Sequence, residues 1–159
     1  MKYKSSLFIS VVVFFLVSSC LKKEEYPVIP AISFKDLKYN HFVNSIGGTV
    51  YLTISFTDGD GNIGLTAADT VAPYDYNLFV KLFGKKNGVF EEIIFPDTTL
   101  NFNARIPILN ANGSNKTLKG DIEYKMDFLT KDTLQLEVFI KDRELNESNT
   151  ITTPEFVIK

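Results

Sequence analysis

The chain has 159 residues, 45% of them hydrophobic, with one cysteine, one histidine, no tryptophan and a formal net charge of −2. That length suits one domain with a real core. A lone cysteine excludes an intrachain disulfide and any cysteine-based metal cluster, and a mildly acidic chain without a basic block offers nucleic acid no electrostatic footprint.

Lys2 and Lys4 open the chain, an apolar run follows from Leu7 to Val17, and Ser18-Ser19 lead to Cys20. A basic start, a short apolar core and small residues at the cut make a secretory signal over residues 1–19. The apolar run is about eleven residues, short of the ~20 that a membrane-spanning helix needs. Leu16-Val17-Ser18-Ser19-Cys20 resembles the lipobox of bacterial lipoproteins. The resemblance implies cleavage before Cys20 and acyl chains on its sulfur, and so a membrane partner. Residues 20–30 then read as the lipidated cysteine and a flexible tether, with Lys22-Lys23-Glu24-Glu25, Pro27, Pro30 and no apolar period. Fully extended, the ten residues after Cys20 reach roughly 33 Å. Acidic residues just after the cysteine resemble a signal that carries some Gram-negative lipoproteins to the outer leaflet. The expected location is therefore the cell envelope, at the outer membrane, on its periplasmic face or at the cell surface.

Residues 31–159 read as one β domain, because Phe and Tyr are abundant alongside many Val, Ile and Thr. Ala31–Tyr39 is a first strand with Ile32, Phe34 and Leu37 inward. Thr49–Phe56 alternates strictly, with Val50, Leu52, Ile54 and Phe56 on the buried face. Asn77–Phe83 and Val89–Phe95 flank a hairpin loop at Gly84–Gly88. Leu100, Phe102, Ala104, Ile106 and Ile108 keep a period of two and predict a further strand, placed at a sheet edge by Pro107. Leu118–Leu129 puts Leu118, Ile122, Tyr124, Met126 and Phe128 inward. Leu134, Leu136, Val138 and Ile140 form the next inward face, and Thr150–Ile158 closes the domain with Pro154 at an edge. About seven to nine short strands without a helical window predict an all-β, immunoglobulin-like antiparallel β-sandwich; a small jelly roll or a barrel is the alternative.

The sharpest local signal is Asp58-Gly59-Asp60-Gly61-Asn62-Ile63-Gly64. Oxygen side chains at alternate positions, separated by glycines, suit a hard cation such as Ca2+, which takes six to eight oxygens. The loop is not an EF-hand. Aligned on Gly61 and Ile63 it would start at Phe56 and end at Ala67, neither of which offers an oxygen ligand. Started at Asp58, it has Ile63 where that motif needs glycine. Two readings stand: a glycine-rich turn whose side chains bond their own backbone, or a looser Ca2+ site. If Thr49–Phe56 is strand B and Leu134–Lys141 strand F of an immunoglobulin order, the B–C and F–G loops share one end. Asp142, Glu144 and Asn146 then approach Asp58, Asp60 and Asn62, and these six are the candidate metal ligands. Arg143 is the alternative counter-ion.

Other chemistry is sparse. His41 lies in a polar turn, and no Gly-x-Ser-x-Gly elbow marks a nucleophile. Tyr74 and Tyr76, in the long loop after the acidic motif, are candidate ligand-binding aromatics, with Tyr51 and Phe139 alternating outward. Asp69-Thr70-Val71, Asp97-Thr98-Thr99 and Asp132-Thr133-Leu134 resemble a bacterial O-glycosylation sequon. As a whole the chain resembles uncharacterised bacterial lipoproteins that join a lipobox to one sandwich domain with an acidic Asp-Gly-Asp-Gly loop. The resemblance implies a non-catalytic envelope lipoprotein, a tethered binding or structural module with a protein or glycan partner. A glycan-binding accessory of a polysaccharide-uptake system is the alternative, and a hydrolase a distant one.

Overall fold

The computed structural model describes residues 24–95, 101–109, 116–130 and 132–159. Cys20, and with it the lipidation site, lies outside the described residues, as do Asp97-Thr98-Thr99 and most of the polar loop from Asn110. The strands are β1 (Ala31–His41), β2 (Gly48–Asp58), β3 (Leu78–Lys86), β4 (Val89–Glu92), β5 (Leu118–Phe128), β6 (Asp132–Ile140), β7 (Ile151–Thr152) and β8 (Phe156–Ile158).

They form two antiparallel sheets. One has the order β1-β2-β5; the other runs β4-β3-β6, with β7 and β8 both paired to the far side of β6. This is the immunoglobulin-like arrangement, strands A-B-E against C′-C-F-G, and not a closed barrel. The inner faces follow the alternation in the sequence. Val50, Leu52, Ile54 and Phe56 of β2 meet Leu134, Leu136, Val138 and Ile140 of β6 in one core, with Met126 and Phe128 of β5 and Leu78, Val80 and Leu82 of β3. Stacked sheets sit about 10 Å apart, so these side chains fill the gap and exclude water.

In β1 the inward set changes from even to odd numbers, from Ile32 and Phe34 to Leu37 and Tyr39. The pairing shows why: Phe34 faces Ile54 and Asp36 faces Thr53, leaving Lys35 as an extra residue in a bulge. The β3–β4 turn is tighter than the expected Gly84–Gly88 loop. Lys86 pairs with Val89, and Asn87 and Gly88 both have positive φ, 51° and 85°. That is a two-residue type I′ turn, the form that matches strand twist.

Two expectations are corrected. The strand expected over residues 100–108 does not form in the described part, 101–108. Ala104 exchanges hydrogen bonds with Leu78 at 2.8 and 3.0 Å, but the ladder to β3 goes no further: Ile106 O accepts from Leu65 N at 2.9 Å, and the remaining bonds run through side chains. Asn103 Oδ1 accepts from Val80 N at 3.1 Å, and Asn77 takes both backbone groups of Ile106. Phe102, Ala104 and Ile106 do face the core; Ile108 is 40% exposed instead of inward. The last strand is broken at Thr153-Pro154-Glu155, where the buried Thr153 hydroxyl accepts from Leu136 N at 3.1 Å in place of a continuous ladder.

Candidate functional site

The acidic turn is built by the alternation of β2 running one step too far. Residues 50, 52, 54 and 56 point into the core, so Asp58, at the end of the same strand, points there too and is 0% exposed. One oxygen of its carboxylate, Oδ2, accepts from Ile63 N at 3.0 Å. Burial, together with the neighbouring Asp60 carboxylate, pushes its pKa up to about 6, while the Ile63 and Asn62 amides oppose the rise.

The glycines let the turn close. Gly61 has φ 71°, and a side chain there would collide with the carbonyl oxygen of Lys116. Gly59 donates its N–H to Pro27 O at 2.9 Å, and a side chain on it would strike the Tyr26 carbonyl. The Thr117 hydroxyl donates to Gly59 O at 3.1 Å. Ile63 and Leu65 then bury their side chains and anchor the exit of the turn.

Three oxygens stay free. Asp58 Oδ1, Asp60 Oδ1 and Asn62 Oδ1 are buried and have no hydrogen-bond partner among the described residues. Each side chain is held by its other polar atom: Asp58 through Oδ2, and Asp60 and Asn62 by the Asn62 Nδ2–Asp60 Oδ2 bond of 2.9 Å. Buried polar atoms normally find a partner.

The β6–β7 loop lies beside this turn, as the immunoglobulin order requires. Arg143 N donates to Asn62 O at 3.3 Å and Arg143 Nη1 to Gly64 O at 3.3 Å. Its guanidinium therefore ties backbone to backbone, and it forms no ion pair with Asp58 or Asp60 among the described residues. The other candidate ligands divide. Asp142 is buried, but both its carboxylate oxygens accept from Asn146, Oδ1 from the backbone and Oδ2 from the side chain, each at 2.8 Å. Asp142 and Asn146 thus cap their own loop, where Leu145 adopts φ 66°. Glu144 is exposed and, with Asp60, Asn62, Lys116 and Arg143, lines an open hollow of about 470 Å3. Among the described residues no group of three or more Asp, Glu, His or Cys side chains is placed to hold a metal; the turn contributes two carboxylates and an amide.

Tyr74 and Tyr76 are half-buried and do not line that hollow. Their loop is pinned by Arg105, which donates to the carbonyls of Tyr74, Asp75 and Thr66 at 3.1, 2.9 and 2.7 Å. Arg105 and Asn77 are positioning residues that the sequence reading missed. The signal was there: a lone arginine in an apolar alternation, and an asparagine where a strand begins. His41 is exposed near the other end of β2, its Nδ1 3.2 Å from the Tyr39 hydroxyl. Of the sequon-like strings, Thr70 is exposed, but Asp69 caps a turn through Thr66 N and Oγ1, at 2.6 and 2.8 Å. Thr133 is paired within β6.

On the outer face of the second sheet, Phe79 and Phe139 stack at 4.8 Å with 9° between their planes, and the Lys141 ammonium lies 5.1 Å from the Phe79 ring. They edge a hollow of about 290 Å3 with Ile94, Phe95 and Phe102. Tyr51 is half-buried on the first sheet. Comparison with protein-family models, curated proteins and solved structures finds no match to this chain.

Proposed function

We propose that this protein is a lipid-anchored, non-catalytic module of the bacterial cell envelope, held by Cys20 at the outer membrane with its acidic loop end facing the bilayer. One observation carries the orientation: the end of the tether is docked on the acidic turn. Pro27 O accepts from Gly59 N, Lys119 Nζ lies 3.2 Å from Glu24 and 5.5 Å from the centre of the Tyr26 ring, and Tyr26 bonds Glu24. Three residues then separate Cys20 from the docked stem at Glu24, a reach of roughly 13 Å when extended. A partner would approach the opposite end, around the Asn87-Gly88 turn, Gly47 and Lys159.

Mass spectrometry of the native, membrane-extracted protein tests this reading. The expected species starts at Cys20 and carries a thioether-linked lipid, and Cys20→Ala releases the protein from the membrane fraction. An unmodified chain that retains residues 1–19 and fractionates with the cytosol overturns it.

A glycan-binding accessory is the second reading, favoured by the outward Phe79–Phe139 pair and the hollow beside it. Aromatic faces stack on apolar ligand surfaces. Glycan-array binding that is lost in Phe139→Ala supports it, and a silent array removes it.

A further inference from the structure

We propose that Asp58, Asp60 and Asn62 supply the side-chain ligands for one hard divalent cation of the Ca2+ class. The inference is independent of the lipid anchor. It rests on three buried oxygens at alternate positions of one turn, each left without a partner among the described residues while the rest of its side chain is fixed. Asp58 is fully buried and Asn62 is 9% exposed, so water does not freely solvate either group.

Two simpler ways of satisfying these atoms fail. Arg143 is the counter-ion that the strand order brings to this end, and its guanidinium donates to Gly64 O. A proton shared between Asp58 and Asp60 would relieve their repulsion but leave Asn62 Oδ1 stranded, because an amide oxygen only accepts. Turning the amide over does not help, since that would set its oxygen against Asp60 Oδ2, where Nδ2 now donates at 2.9 Å. A cation satisfies all three oxygens at once and offsets both carboxylate charges.

The donor set selects the metal. All three ligands are oxygens, and neither imidazole nor thiolate is present to favour zinc, copper or nickel. Ca2+ accepts six to eight oxygens in flexible geometry, completed by carbonyls and water, whereas Mg2+ demands a near-ideal octahedron. The turn is also where the stem and the β6–β7 loop meet, through Gly59 and Asn62, so an ion there braces three segments.

The test is equilibrium dialysis of 45Ca2+ against the full-length lipoprotein in detergent micelles at pH 7.5, paired with thermal unfolding in Ca2+ or chelator. The expected result is about one Ca2+ per chain with half-saturation below roughly 1 mM, and a melting temperature higher by roughly 5 °C in excess Ca2+. Asp60→Ala should weaken binding at least tenfold, and Asp142→Asn should leave it unchanged. Asn62→Asp, which adds a third carboxylate, should tighten binding and lower the melting temperature in chelator. Absence of binding at 2 mM Ca2+ overturns the proposal, as does an Asp60→Ala variant that binds like the parent or an Asn62→Asp variant with unaltered affinity.

Discussion

Asp58 sits in the core because strand alternation put it there, and its energetics follow. An aspartate carried into a dry site prefers its neutral form, hence a pKa raised from 3.8 to about 6. Between about pH 4 and pH 6 the folded state keeps a proton that the unfolded chain has released, so stability falls as pH rises through that window. In chelator, the melting temperature should therefore be higher at pH 5 than at pH 7.5. Asp58→Asn should remove that difference, whereas an equal pH response in the variant would assign it elsewhere. The exposed Asp121 behaves oppositely. A bond from Lys35, then one from Ser55, holds its carboxyl below the ordinary range, so its contribution is lost only when pH falls through that lower value. The acidic turn was legible as a motif because its spacing is local. Which of six candidate ligands stay free was not, because Asp142 is diverted by Asn146, and only the folded loop decides that.

Most strands could be read directly, since β2, β5 and β6 each have a buried face and alternation records it. The edge segment misled for the same reason. Phe102, Ala104 and Ile106 alternate because they cover the core, but alternation reports facing and not backbone pairing. Asn77 makes up the missing ladder: its Oδ1 accepts from Ile106 N at 2.6 Å and its Nδ2 donates to Ile106 O at 3.2 Å, all in a buried site. Asn77→Ala would strand the Ile106 N–H, at a cost of about 1–3 kcal/mol, while Ile106 O keeps the shorter bond from Leu65 N at 2.9 Å. Chemical denaturation should show a clear loss of stability, and amide exchange should rise at Ile106 and Ala104 before β6 is affected. A variant as stable as the parent would show that water replaces the side chain. The bulge in β1 left a trace, the change of parity from Ile32 and Phe34 to Leu37, and Pro154 was legible as an edge but not as a break, because the bond from Leu136 N to the Thr153 hydroxyl exists only in the fold.

At the scale of the whole domain, the stem and the acidic turn occupy one end. Lys159, whose carbonyl accepts from Gly47 N at 3.2 Å, lies at the other. Between them runs β1, an outermost strand of eleven residues. Asn149 closes its outer side at Ile32, accepting from Ile32 N and donating to Ile32 O at 2.9 Å each; beyond that point, an edge of this length is a template on which another polypeptide can add. Lys35 interrupts the template: the bulge twists the strand and throws the outward N–H and C=O groups out of phase with any flat partner. Deleting Lys35 keeps every inward residue in register with β2 but restores an unbroken edge. That variant should self-associate by strand addition in sedimentation experiments while Lys35→Ala, which keeps the extra residue, does not. Where copies of the chain crowd together, one surplus residue in mid-strand would help keep neighbours from zipping into fibrils.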